Sequence, residues 1–310
     1  MPSLFLLSIL MDFDKPSQST EDHIQLLKER GLIITDEDRA EYYLKNIGYY
    51  RLSGYMYPFQ ADNNHRFKDG ASFRQVLNHY IFDKKLRFLL LDALERIEIS
   101  LRTNLTNHYS LSNEPHWFMN QSLFNNSVLH SKFIADLNEK CKDSNERFIK
   151  AYYHKYSKPE LPPSWMAFET LTFGSLVSVY ENLKDDDNKK AIAKVFGTFP
   201  SMLESWLKSM LFIRNCSAHH SRLWNRRIPL KPKIPTRKKN RFLENVDDHT
   251  NKQLYGILSC IVYVLNHINP TSSFKTKLNA LFAEYPDVDT RNMGFPESWK
   301  TETLWSASSE

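Results

Sequence analysis

Apolar residues recur along this chain at three- and four-residue steps nearly throughout, the spacing that lines up one face of an α-helix. The longest run extends from about Ser72 to Tyr109, where Leu86, Leu90, Ala93, Ile97, Leu101 and Leu105 make one stripe. The pattern allows a break near Asp83. Glu95, Glu98 and Arg102 follow similar steps on a polar face, and Glu98 with Arg102 is an i,i+4 pair of favourable orientation. Toward the start, Ser19 with Asp22 reads as a capping pair and Gly31 as the stop of a helix near 20–30. Thr35 with Asp38 repeats the device, and Gly48 ends that helix.

Further helices are expected over about 127–141, 145–156 and 164–183, then from the charged turn Asp185–Lys190 to about Phe196. A strongly apolar helix follows from Met202 to about His220, and two more cover roughly 250–268 and 272–284 before a polar tail. Residues 110–126 read as a loop anchored by Trp117 and Phe118, and the Pro-rich 158–163 stretch as a rigid break. The fold class is therefore all-α. Gly is scarce, at 8 residues, which argues against all-β folds and Gly-rich phosphate loops.

Only one segment breaks the helical pattern with a strong charge signature. Arg222 to Arg241 holds nine basic residues (Arg222, Arg226, Arg227, Lys231, Lys233, Arg237, Lys238, Lys239 and Arg241), no acidic ones and three Pro. It reads as a mobile basic loop that either tracks a nucleic-acid backbone or is simply solvated. Trp224 among these cations either stacks on a base or anchors the loop. The net charge of +5 is modest, so this local distribution matters more than the total.

Three scattered Cys and no CxxC pair argue against a disulfide framework or a zinc site and fit a reducing cytoplasm. The apolar first ten residues are too short for a membrane span, which needs about 20, and they lack a signal peptide's features. A start at Met11 is an alternative. The expectation is a cytoplasmic protein without a membrane partner.

Just before the basic segment, the apolar helix ends in Arg214-Asn215-Cys216-Ser217-Ala218-His219-His220. A guanidinium can clamp a phosphate, and an imidazole can move a proton near neutrality. Together they could cleave RNA without a metal or other cofactor, His219 acting as general acid or base and Arg214 stabilising phosphoryl charge. On an ideal helix, however, positions 214 and 219 lie about 140° apart. Convergence needs a frayed helix end or a facing second protomer. His220 is a second proton-transfer candidate, a substrate contact or plain surface. Cys216 reads as packing. Arg102 and His108 form another Arg–His pair, either a second motif or a structural pair with Glu98 and a helix-end histidine.

Several segments together carry a resemblance: KPSQSTEDHIQLLKERGLII, YYLKNIGYYRLSGYMYPF, LRFLLLDALERIEISLRTNL, PPSWMAFETLTFGSLVSVYENL and SWLKSMLFIRNCSAHHSRLWNR. In this order, over about 15–227, they resemble the bacterial abortive-infection Abi family of the AbiD/AbiF type. The resemblance implies a helical HEPN-like fold and a role in defence against phage. It implies a metal-independent ribonuclease motif, with Arg214, Asn215 and His219 as its catalytic residues. A homodimer and a small inhibitory RNA are the further partners it implies. Among the family segments, Tyr49, Tyr50, Tyr55 and Tyr57 read chiefly as packing, and Gly174 as permitting close helix approach. The organisation expected is a tail (1–14), an N-terminal helical segment (15–60), a HEPN-like domain (61–290) with a basic loop (221–249), and a C-terminal tail (291–310).

Overall fold

The computed structural model describes residues 16–236, 241–244, 247 and 250–306. Met1 to Leu10, the alternative start at Met11, and Arg237, Lys238 and Lys239 lie outside the described residues. Twelve α-helices and several short 3-10 turns account for the regular structure, with isolated bridges in place of any strand among the described residues. The chain divides into two compact units, residues 1–80 and 81–310.

In the first unit, α1 (Thr20–Glu29) starts with the expected reciprocal cap: Ser19 Oγ accepts from the Asp22 amide and Asp22 Oδ2 from the Ser19 amide. The N-cap of α2 (Glu37–Ile47) is Asp36, whose carboxylate takes the Arg39 amide at 2.9 Å, in place of the expected Thr35. Gly48, at φ +89°, lets α3 (Tyr49–Met56) begin immediately after α2 ends. The four tyrosines divide. Tyr55 is buried, and Tyr49 stacks on His23 with its hydroxyl taking a bond from Arg30. Tyr50 and Tyr57 are instead exposed, at 93% and 70%.

α4 (Phe73–Ser112) runs unbroken through Asp83. Its predicted stripe, Leu86 to Leu105, is buried along its whole length in the second unit. Trp117 and Phe118 are fully buried, as a loop anchored by them requires. After α5 (Ser127–Lys142) and α6 (Arg147–Lys155), the helix expected over 164–183 is two: α7 (Ser164–Ala167) and α8 (Phe173–Asn182). The break has a local cause. Arg102 donates to the Phe168 and Leu171 carbonyls at 3.1 Å each, acceptors a continuous helix would need. Thr172 Oγ1 takes the Ser175 amide that would have bonded to Leu171.

α9 (Asp187–Val195) leads into α10 (Pro200–Ala218), which opens on a proline at its first position. α11 (Leu254–Ile268) is buried on nearly all sides and forms the core helix. α12 (Phe274–Glu284) follows. Beyond it the expected polar tail is folded: Phe295, Trp299 and Trp305 are buried, and the Trp305 indole donates to Ser259 Oγ at 3.0 Å. Few and irregularly spaced, these aromatics give no helical period for a pattern search to find. No described helix is long and apolar enough to cross a membrane.

Candidate active site at the end of α10

α10 buries Leu203, Trp206, Leu207, Met210 and Ile213, and the stripe continues through Cys216 and Ser217. That burial fixes how the motif is presented. Arg214 and Asn215 are half-buried on the flank, while His219 and His220 are exposed beyond the last turn. Burial raises the Cys216 thiol pKa, with Arg226 pulling it back. A thiol held neutral this way suits packing and not nucleophilic attack.

The helix end is closed, not frayed. The His219 amide donates to the Asn215 carbonyl (2.9 Å), His220 to Ser217 (3.2 Å) and Ser221 to Cys216 (2.8 Å). This is a Schellman ending, with His220 at the left-handed position that glycine usually fills, at φ +57°. His219 has itself left helical geometry, at φ −88° and ψ 12°, but the helical residues through Ala218 set where it stands. The offset between residues 214 and 219 therefore persists. Arg214 reaches only its neighbour, with Nη1 at 3.4 Å from Asn215 Oδ1, a long contact. No hydrogen bond joins Arg214 to His219 among the described residues.

What holds this ending in place comes from α4. Asp83 has no exposed side-chain surface, and its carboxylate accepts the Leu223 amide (3.0 Å) and the Trp224 amide (2.7 Å). Arg87, one turn along α4, pairs with the same carboxylate. Sequence reasoning noticed Asp83 only as a possible break and missed this role. The signal was present: Asp83 lies three residues before Leu86 on the apolar stripe. A carboxylate there must be buried against a partner.

The basic segment is tethered over 222–236, contrary to the mobile loop expected. Leu223, Trp224 and Ile228 are buried. The Trp206 indole donates to the Lys233 carbonyl (2.6 Å), and the Lys233 amide to Ser205 Oγ (2.9 Å). The Ile228 amide bonds to the Lys252 carbonyl (2.7 Å), and Asn251 Nδ2 to the Pro232 carbonyl (2.8 Å). Trp224, fully buried, anchors the segment; it offers no face to a base. The cations are still presented outward, Arg227, Lys231 and Lys233 exposed and Arg222 and Arg226 half-exposed. Arg226 lies over the Phe212 ring at 5.5 Å and so stands beside the motif helix. Arg241 turns back on its own segment, bonding the Leu243 and Glu244 carbonyls.

On α4, Glu98 and Arg102 form a structural pair. Arg102 is committed to Glu98 (3.0 Å) and to the 168–171 turn, and neither residue bonds Arg214, Asn215 or His219 among the described residues. His108 lies within the last turns of α4 and is no helix cap. Gly174 is not forced by packing, because a methyl there would meet Leu211 at 3.7 Å, an ordinary contact.

The described residues thus form an all-helical architecture, with an Arg–Asn–His run at a capped helix end and a pinned basic strap after it. The sequence model of the Abi-like protein family matches residues 42–225, more than half of the chain, and the chain belongs to that family. The match covers α3 to α10 and ends just past the motif and the Asp83-bound amides. Membership assigns the protein to abortive-infection defence. No curated protein matches the chain, and no solved structure does.

Proposed function

We propose that this Abi-like protein is a HEPN-like, metal-independent endoribonuclease toxin of the cytoplasm, acting on RNA as a homodimer. The observation that carries the reading is the placement of Arg214, Asn215 and His219 around one closed helix end, beside the outward-facing cations of the strap. In the reaction, a ribose 2′-hydroxyl attacks the adjacent phosphorus and the 5′-oxygen leaves. His219 transfers a proton, and Arg214 neutralises the charge gathering on the phosphoryl oxygens. The products are a 2′,3′-cyclic phosphate and a 5′-hydroxyl. Asn215 contacts the Arg214 guanidinium and orients it. An exposed His219 with no bond to Arg214 fits a centre completed by a second protomer.

The test is cleavage of total RNA by the purified protein with EDTA present. The proposal expects products from wild type and none from His219→Ala. Identical products from both would overturn it. The separation of Arg214 from His219 within the protomer also favours a second reading, a non-catalytic RNA-binding module of a defence or toxin–antitoxin system. That reading expects binding without cleavage by the wild-type protein.

A further inference from the structure

Among the described residues, part of the basic segment converges. Arg226, Arg227 and Lys231 from the strap meet Lys252, from the turn before α11, around a depression of about 440 Å³. Ile228 and Pro229 form its apolar side. Its two walls are fastened together by backbone, through the Ile228 amide and the Lys252 carbonyl at 2.7 Å. The second fastening, Asn251 to the Pro232 carbonyl, depends on Gly256: a Cβ there would stand 2.2 Å from Asn251 Oδ1. The depression is therefore built from fixed elements, and one of its cations lies outside the run that composition singles out.

We propose that this depression is a phosphodiester-binding subsite that grips a single RNA strand beside the α10 motif. Four cations around one hollow suit a polyanion. The volume falls within the roughly 300–1,000 Å³ of small-ligand sites, enough for one phosphate with its sugar. The apolar side suits the faces of sugar and base, which carry no charge. Arg226 links the hollow to the motif helix through Phe212, two residues before Arg214. Lys233, by contrast, has its backbone tied to Ser205 and Trp206 and does not line the hollow. Such a subsite reads backbone charge and not base identity, so binding there is salt-dependent and tolerant of sequence.

The inference rests on the RNA-directed reading above, but its test needs no cleavage. Binding of a labelled single-stranded RNA is measured across salt concentrations with the full chain carrying His219→Ala. Replacing Arg227, Lys231 and Lys252 by Gln in that background is expected to weaken binding about tenfold or more at low salt. The slope of log affinity against log salt should fall by about 2, at about 0.7 for each phosphate no longer neutralised. A control removes the same charge by Lys132→Gln, Lys142→Gln and Lys150→Gln on α5 and α6, and should bind as the parent does. Thermal melts of both triples exclude unfolding, and Arg227→Gln alone gives a smaller loss in the same direction. Unchanged affinity and slope, or an equal loss in the control, would overturn the subsite. Failure of wild type to cleave RNA would overturn the nuclease reading and leave this result standing.

Discussion

A carboxylate with no exposed surface must have its charge answered from several directions, and Asp83 is answered by two backbone amides and a guanidinium. Removing it leaves Arg87 buried, at 6% side-chain exposure, facing unpaired amides. Asp83→Ala should therefore lower stability by about 3–5 kcal/mol, read as a shifted urea midpoint. A double variant, Asp83→Leu with Arg87→Met, should recover much of that loss, because both charges then leave together. A loss below about 1 kcal/mol in the single variant would show that the clamp does not hold the strap. The role was half legible beforehand. The position of Asp83 on the apolar stripe marks it as buried, but the amides that donate to it lie 140 and 141 residues away and leave no local trace. Arg214, Asn215 and His219 were legible as residue types at a helix end. Their separation within one protomer was legible too, from helix geometry alone.

At the scale of elements, the end of α10 carries a cost the sequence does not advertise. His220 occupies a left-handed backbone position, which costs a residue with a Cβ about 1–2 kcal/mol over glycine. His220→Gly should raise the melting temperature by a stabilisation of about 1 kcal/mol. If activity is also lost, the imidazole has a chemical role; retained activity places chemistry on His219 alone. An unchanged or lowered melting temperature would contradict the strain argument. Elements set by local period were read correctly, α4 above all. Those set by distant side chains were not: the break between α7 and α8 is made by Arg102, some 66 residues earlier. The strap looked mobile because its anchors, Leu223, Trp224 and Ile228, follow no helical spacing among the cations and prolines.

For the molecule as a whole, the aromatic core sets its response to alkali. Burial raises the phenol pKa of Tyr109, Tyr180 and Tyr255, with Asp186 adding to the effect on Tyr109. Each folded value lies above the unfolded value of about 10. The stability they contribute is thus fully present below about pH 10 and is lost as pH rises past it. Urea midpoints should fall between about pH 9 and about pH 11, with a burst of tyrosinate absorbance on unfolding. A constant midpoint over that range would contradict the burial of these rings. Helical class was legible from spacing along the chain. The folded C-terminal cluster around Trp299 and Trp305 was not, because its contacts with α11 and α12 are tertiary. The defence role follows from the family match over 42–225.

The most direct measurement is the mapping of RNA ends in cells after induction of wild type and of His219→Ala. His219 is exposed, so the variant should fold and melt as wild type does. The account predicts new ends bearing 2′,3′-cyclic phosphates with wild type and their absence with the variant. The same ends from both proteins, or no new ends from wild type during growth arrest, would contradict it.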